Sequence, residues 1–188
     1  MRMRIRVLLF ASLALVLGAC EKPAPGRPQS PVSTPSAAWT AGPLRVPAIA
    51  PGAQCPVTRP HPWSGPGEAT NVLGDGPLYP VADYFESGTV LQLRPENRQE
   101  DGSYEKKVRW IGAGYAGPVL LRAARIDGAG SAGVTLLYTG EPRDGGHYAV
   151  LTSSTSDLPA TTQISAPGCY AYQVDGTTFS KTIIFRVR

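Results

Sequence analysis

Glycine and proline set the strongest limit on what this chain can fold into. They account for 21 and 19 of its 188 residues and interrupt most windows long enough to form a helix. Inside a helix, glycine costs about 1 kcal/mol and proline about 3 kcal/mol relative to alanine. Helical periodicity is nearly absent, whereas short runs that alternate between apolar and polar residues are common. The sequence therefore predicts a fold built from strands.

The alternating runs are concentrated in the C-terminal two thirds of the chain. They cover residues 89–94, 104–111, 118–126, 134–139, 148–152, 161–164, 168–174 and 182–187, with Asp-Gly turn signals between several of them. Short strands separated by glycine-rich turns are typical of an antiparallel sandwich or barrel. We predict that residues 55–188 form one immunoglobulin-like β-sandwich of about seven to nine strands.

Residues 20–54 have a different composition, rich in proline, alanine, serine and glycine. Such a segment buries too little apolar surface to offset its chain entropy, and proline-rich linkers act as semi-rigid spacers. We predict a disordered tether over residues 20–54, with Trp39, Leu44, Val46 and Ile49 as residues that could dock onto the domain. The alternative is a proline-rich recognition motif, which the irregular proline spacing does not favour.

The first nineteen residues have the features of a secretory signal. Arg2, Arg4 and Arg6 precede an uncharged apolar run over residues 7–17, which is shorter than the roughly 20 residues that a membrane span needs. The boundary Leu17-Gly18-Ala19-Cys20 resembles the bacterial lipobox. The resemblance implies diacylglycerol on the Cys20 sulfur, further acylation such as palmitate, cleavage before Cys20, and an exported protein anchored to a cell-envelope membrane. The alternative is an ordinary secretory signal with a coincidental cysteine.

The leader also accounts for most of the net charge of +4. Of 18 basic residues, three lie in the leader, and the remaining 15 nearly balance the 14 acidic ones. Nucleic-acid binding requires lysine and arginine clustered on one face. We therefore expect no nucleic-acid partner.

The C-terminal stretch from Ala166-Pro167-Gly168-Cys169-Tyr170 to residue 187 resembles the closing hairpin of secreted bacterial Ig-like domains. The form with cysteine after the glycine is similar to a group of uncharacterised bacterial lipoproteins and secreted proteins, which implies a fold and a location but no activity. In that group an early Cys-Pro, here Cys55-Pro56, pairs with the late cysteine. With Cys20 lipidated, Cys55 and Cys169 are the two thiols left, and export favours their oxidation. The alternative is two buried free cysteines.

No pattern of catalytic or metal-binding residues emerges. His61 lies in a proline-rich loop and His147 beside a glycine-rich turn, and the chain has no Gly-x-Ser-x-Gly sequence. Both methionines fall in the leader, and cysteine and histidine are not clustered, so neither a copper nor a zinc site is indicated. We predict no catalytic residue, no metal and no cofactor.

Two binding hypotheses remain. The first is a non-enzymatic envelope lipoprotein, anchored by its lipid, that presents the sandwich to an envelope protein or the cell wall. The second is a carbohydrate- or peptidoglycan-binding module that stacks sugars on exposed aromatic rings. The candidates are Trp63, Tyr84, Trp110 and Tyr115; we predict that Trp110 lies in the core and that Trp63 and Tyr115, flanked by proline or glycine, are exposed ligand-binding residues.

Overall fold

The computed structural model describes residues 39–188, and this part of the chain is all-β. The predicted signal peptide, the lipidated Cys20 and the tether up to residue 38 lie outside the described residues. Two short 3-10 helices, Ala82–Tyr84 and Pro95–Asn97, accompany the strands. The described residues contain no helix with the length and hydropathy of a membrane span. The strands are β1 Pro60–Pro62, β2 Asn71–Leu73, β3 Leu78–Pro80, β4 Val90–Leu91, β5 Tyr104–Ala113, β6 Gly117–Arg125, β7 Ala132–Leu136, β8 Glu141–Arg143, β9 Gly146–Leu151, β10 Thr155–Ile164, β11 Gly168–Gly176 and β12 Ser180–Val187.

The strands form two large sheets and a small one. The four-stranded sheet has the order β3-β5-β10-β7, the six-stranded sheet the order β4-β12-β11-β6-β9-β8, and β1 pairs with β2. All pairings are antiparallel except that of β12 with β4. One apolar cluster contains inward side chains of both large sheets, so the predicted sandwich of antiparallel sheets is confirmed.

Aromatic side chains fill the space between the sheets. The Trp110 ring on β5 meets the Tyr172 ring on β11 edge-on at 5.0 Å, and Phe185 stacks on Tyr172 at 4.4 Å. The Tyr172 hydroxyl lies 2.6 Å from Thr162 Oγ1 on β10, and burial raises the pKa of Tyr172. Trp110 is fully buried, as predicted for a core tryptophan.

Each run predicted as a strand overlaps a strand of the structure. The short strands β1, β2, β3 and β8 and the first half of β10 were not predicted, the last because Pro159 lies within it. The Pro159 carbonyl accepts a hydrogen bond from the Leu137 amide, one residue beyond the end of β7. The N–H and C=O of one residue point to the same side of a strand, so an N–H at position 159 would also face β7. Because β7 has ended there, the lack of an N–H in Pro159 leaves no strand acceptor unpaired, and the proline is tolerated.

Residues 39–54, here called the strap, lie along the outer face of the six-stranded sheet. Val46 and Ile49 pack against Ile126, Cys169 and neighbouring side chains, and the Ile49 amide donates to the Ile126 carbonyl at 2.8 Å. Two apolar side chains and several hydrogen bonds therefore suffice to dock a segment of linker-like composition on the sheet. Val46 and Ile49 are two of the four residues that we expected could dock onto the domain.

A disulfide fixes the end of the strap to the sheet. Cys55 and Cys169 are bonded, with their Cα atoms 5.5 Å apart across a sequence separation of 114 residues. The predicted pairing is confirmed. Since Cys169 lies on β11, the bond joins the strap to the centre of the six-stranded sheet.

Candidate functional site

The Trp63 side chain packs against other residues of the same chain. Its ring meets Tyr79 edge-on at 5.0 Å and covers a small cluster formed by Val72, Val81 and Ile111. The indole nitrogen donates to the Pro66 carbonyl at 3.1 Å. The half-buried ring is therefore a packing element of the loop before β2, which differs from the exposed position predicted for it.

Tyr115 is likewise part of the framework. Its hydroxyl donates to the Pro118 carbonyl at 2.7 Å and accepts from the Thr177 amide at 3.2 Å, while its ring meets Phe179 edge-on at 5.0 Å. The side chain is half-buried and ties the β5–β6 turn to the β11–β12 turn. Gly114 and Gly117 near Tyr115 suggested exposure, but these glycines, both with positive φ, shape the turn that brings the ring against Phe179.

The substitution Tyr115→Phe is expected to lower the free energy of unfolding by about 1–2 kcal/mol, because the Thr177 amide and the Pro118 carbonyl lose their partner. Urea unfolding measures this change. Tyr138→Phe removes a hydroxyl from a fully solvated ring and serves as the matched control, with no change expected. Equal stability of the two variants would show that the Tyr115 hydroxyl bonds contribute nothing.

Two other tyrosines are exposed, and both border one groove. Tyr84 ends the 3-10 helix Ala82–Tyr84 and is 45% exposed, whereas Tyr138 follows β7 and is 95% exposed. The groove has a volume of about 500 Å³ and lies on the outer face of the four-stranded sheet. We call it the tyrosine groove; its remaining lining residues are Lys107, Arg109, Leu137, Asp157, Pro159 and Ala160.

The floor of the tyrosine groove follows from the alternation along β5 and β10. Arg109 lies opposite Pro159, and Lys107 lies opposite Thr161. These residues face outward because the intervening Val108 and Ala160 belong to the core. The strands thus place cationic and apolar side chains side by side on the floor of the groove that the two tyrosines border.

Arg109 is held in place by Asp157. The guanidinium Nε donates to Oδ1 at 2.8 Å and Nη2 donates to Oδ2 at 2.7 Å, a bidentate contact. This hydrogen bonding lowers the pKa of Asp157 and raises that of Arg109. The charge of Arg109 is thereby compensated, and the pair forms a fixed polar wall of the groove.

The backbone at Tyr138 is unusual for a tyrosine. Its φ of 65° lies in the left-handed region, which costs a residue other than glycine roughly 1–2 kcal/mol. With 95% of the residue exposed, little burial offsets this cost. Residues kept in such conformations concentrate at functional sites, so Tyr138 is a candidate for ligand contact.

The two histidines do not come together. His61 lies on β1, with Nε2 2.9 Å from the Gly74 carbonyl, and the buried His147 lies on β9, with Nε2 2.9 Å from the Thr139 carbonyl. Both contacts are with backbone rather than with a carboxylate or a nucleophile. Within residues 39–188 no three side chains of the histidine, cysteine, aspartate or glutamate types are grouped as a metal site would require.

Tyr138 is the residue that sequence reasoning missed. It stands in the run 134–139, which was predicted as a strand, and only the following Thr139-Gly140 signals a turn. Tyr84 was among the candidates but was not selected as a ligand-binding residue. No protein-family model matches the sequence, and no curated protein or solved structure is significantly similar to it.

Proposed function

We propose that this chain is an exported, lipid-anchored protein of the cell envelope whose β-sandwich is a non-catalytic binding module for an envelope protein or the cell wall. The observation that carries the binding role is Tyr138, an exposed aromatic residue held in a costly backbone conformation beside a groove. The positions of His61 and His147, each bound to a backbone carbonyl, favour binding over hydrolysis.

Two independent features support export. The first nineteen residues resemble a signal peptide ending in a lipobox at Cys20. The Cys55–Cys169 disulfide lies in the part of the chain that follows it. Structural disulfides persist in oxidising compartments and are rare in reducing ones, so both features favour the same location.

Replacing Cys20 by alanine tests the anchor. A thiol at this position is required for thioether attachment, and the lipobox chemistry would supply the two or more acyl chains that stable anchoring needs. The variant is expected to accumulate as unprocessed or soluble protein, measured by membrane fractionation and by mass. A Cys20→Ala protein that stays with the membrane and matures to the same size would contradict the proposal.

An immunoglobulin-like identity for the sandwich is part of the proposal. The two large sheets contain the immunoglobulin strand orders A-B-E-D and C-F-G. Here the letters A to G denote, in chain order, β3, β5, β6, β7, β10, β11 and β12. The β8–β9 hairpin adds to the second sheet. The Tyr170 hydroxyl donates to the Ala166 carbonyl at 2.7 Å, a contact resembling the tyrosine corner of such folds. The disulfide departs from their pattern, because it joins the strap rather than strand B to strand F.

Glycan binding is the more specific candidate, and the tyrosine groove favours it. Tyr84 and Tyr138 offer flat rings for stacking. Lys107, Arg109 and Asp157 supply hydrogen-bonding groups between them. Trp63 and Tyr115, which the sequence suggested for this role, are engaged elsewhere, so the candidate rests on the two tyrosines.

The substitution Tyr138→Ala is expected to abolish retention of the protein by insoluble peptidoglycan while changing the free energy of unfolding by less than about 0.5 kcal/mol, as for an exposed side chain. A co-sedimentation assay paired with urea unfolding measures both effects. Val150→Ala, at an exposed apolar residue of the other sheet, is the control and should bind normally. Retention of Tyr138→Ala equal to that of the wild type would contradict the candidate.

A further inference from the structure

The tyrosine groove continues into a second depression. Tyr84 and Lys107 also border a neighbouring space of about 460 Å³, whose other lining residues are Arg94, Glu96, Asn97, Gln99, Glu105, Lys106 and Thr161. The two spaces share two wall residues and are therefore neighbours on the outer face of the four-stranded sheet; together we call them the trough.

The trough is elongated along β5. Glu105 lines one depression and Arg109 the other, and at about 3.3 Å per residue these positions lie roughly 13 Å apart. Gln99 borders the first depression, and Tyr138, beyond the end of β7, borders the second from the far side of β10. The trough is therefore longer than a single sugar ring and suits a linear chain.

β10 lies between β5 and β7 beneath the trough, whereas β3 pairs with β5 only at residues 110–112. The lining of the trough contains two tyrosine rings and seven charged side chains. Flat rings stack on sugar rings and charged side chains hydrogen-bond sugar hydroxyls, so the lining favours a glycan. An extended peptide is instead commonly bound by adding a strand to an open sheet edge.

Basic side chains outnumber acidic ones in the trough by four to three, and Lys107 is one of the four. Three other basic side chains line it and each has a polar partner: Arg109 binds Asp157, Arg94 lies 3.9 Å from Glu96, and Lys106 Nζ donates to Asn97 Oδ1 at 2.8 Å. Lys107 forms no ion pair among the described residues. Its ammonium group lines both depressions and complements a carboxylate on the ligand.

We propose that the trough binds an extended, carboxylate-bearing glycan strand laid along β5. Tyr84 contacts the middle of the glycan strand, Tyr138 flanks it from the β7 side near Arg109, and Lys107 pairs with one of its carboxylates. This inference rests on the proposed glycan-binding function and adds to it the form and charge of the ligand.

Isothermal titration of the detergent-solubilised lipoprotein tests the inference with two series of probes. The first series is peptide-free peptidoglycan strands, in which every second sugar carries a lactyl carboxylate, and the second is uncharged N-acetylglucosamine oligomers of the same lengths. The hexasaccharide is expected to bind about tenfold or more tightly than the disaccharide, a difference of about 1.4 kcal/mol, and the carboxylated series more tightly than the uncharged one. Lys107→Gln should remove the difference between the series, whereas Lys181→Gln on the other sheet should preserve it.

Each of the other possible results would contradict a specific part of the inference. Equal affinity for disaccharide and hexasaccharide would overturn the extended mode, and equal affinity for the two series in the wild type would overturn the carboxylate pairing; both would leave glycan binding intact. Failure of every glycan to bind would overturn the inference and the glycan candidate together. Tyr138-dependent binding of an envelope protein, with no glycan bound, would replace the ligand class while retaining the binding module.

Discussion

Replacing Cys55 and Cys169 together by serine is expected to lower the free energy of unfolding by about 4–5 kcal/mol. The bond closes a loop with a sequence separation of 114 residues, and the chain-entropy estimate for a loop near this length is about 4.7 kcal/mol. Domains of this kind have about 5–15 kcal/mol in total, so the loss is a large share of the stability. Guanidinium unfolding of the exported protein measures it.

The wild-type protein treated with reductant is the control for the serine substitutions. It should lose stability by a similar amount, because the same constraint on the unfolded chain is removed. The strap should also become more susceptible to proteolysis over residues 39–54 in both samples, since Cys55 fixes its end to β11. Unfolding midpoints that stay unchanged on reduction would show that the bond does not stabilise the fold.

The substitution Asp175→Ala is expected to lower the free energy of unfolding by about 3–5 kcal/mol, because it leaves Arg122 as a buried charge without its partner. Arg122 Nη2 lies 2.5 Å from Asp175 Oδ2, and the two side chains are only 6% and 5% exposed. The same pair positions the strap. Arg122 Nη2 donates to the Gly42 carbonyl at 2.8 Å, and Gln173 Nε2 donates both to the Pro43 carbonyl at 3.2 Å and to Asp175.

The double substitution Arg122→Met with Asp175→Leu distinguishes the effect of losing the ion pair from the cost of leaving one buried charge unpaired. Replacing both members of a buried ion pair by apolar side chains is often neutral or stabilising. The double variant is therefore expected to be more stable than Asp175→Ala, with the remaining loss arising from the strap contact at Gly42. Urea unfolding compares them, and a double variant as unstable as the single one would contradict the role assigned to the charge.

The fold class could be predicted because strands such as β10 and β12 bury one face only, and the resulting alternation is visible in the residue order. Glycine-rich turns added the antiparallel connections. The sequence pointed to Val46 and Ile49 as residues that could dock, but not to where the strap docks. Its position depends on Gln173 and Arg122, which are distant in sequence and lie on the outer face of the six-stranded sheet.

The proposed binding surface was harder to predict than the core. Proline and glycine around Trp63 and glycine around Tyr115 suggested exposure, but the same residues form the turns that fold these rings back onto Tyr79 and Phe179. The exposure of Tyr138 depends on a positive φ beyond the end of β7. An alternating run containing an aromatic residue carries no sign of such a conformation.

The most direct test of the central claim, that the outer face of the four-stranded sheet is the binding surface, is a two-dimensional NMR titration of the isotope-labelled protein with peptide-free peptidoglycan strands. The amide shift changes should cluster at residues 105–109, 137–138 and 157–161, with Tyr84 among them. Changes centred on Trp63 or Tyr115, or spread over the six-stranded sheet, would contradict the claim.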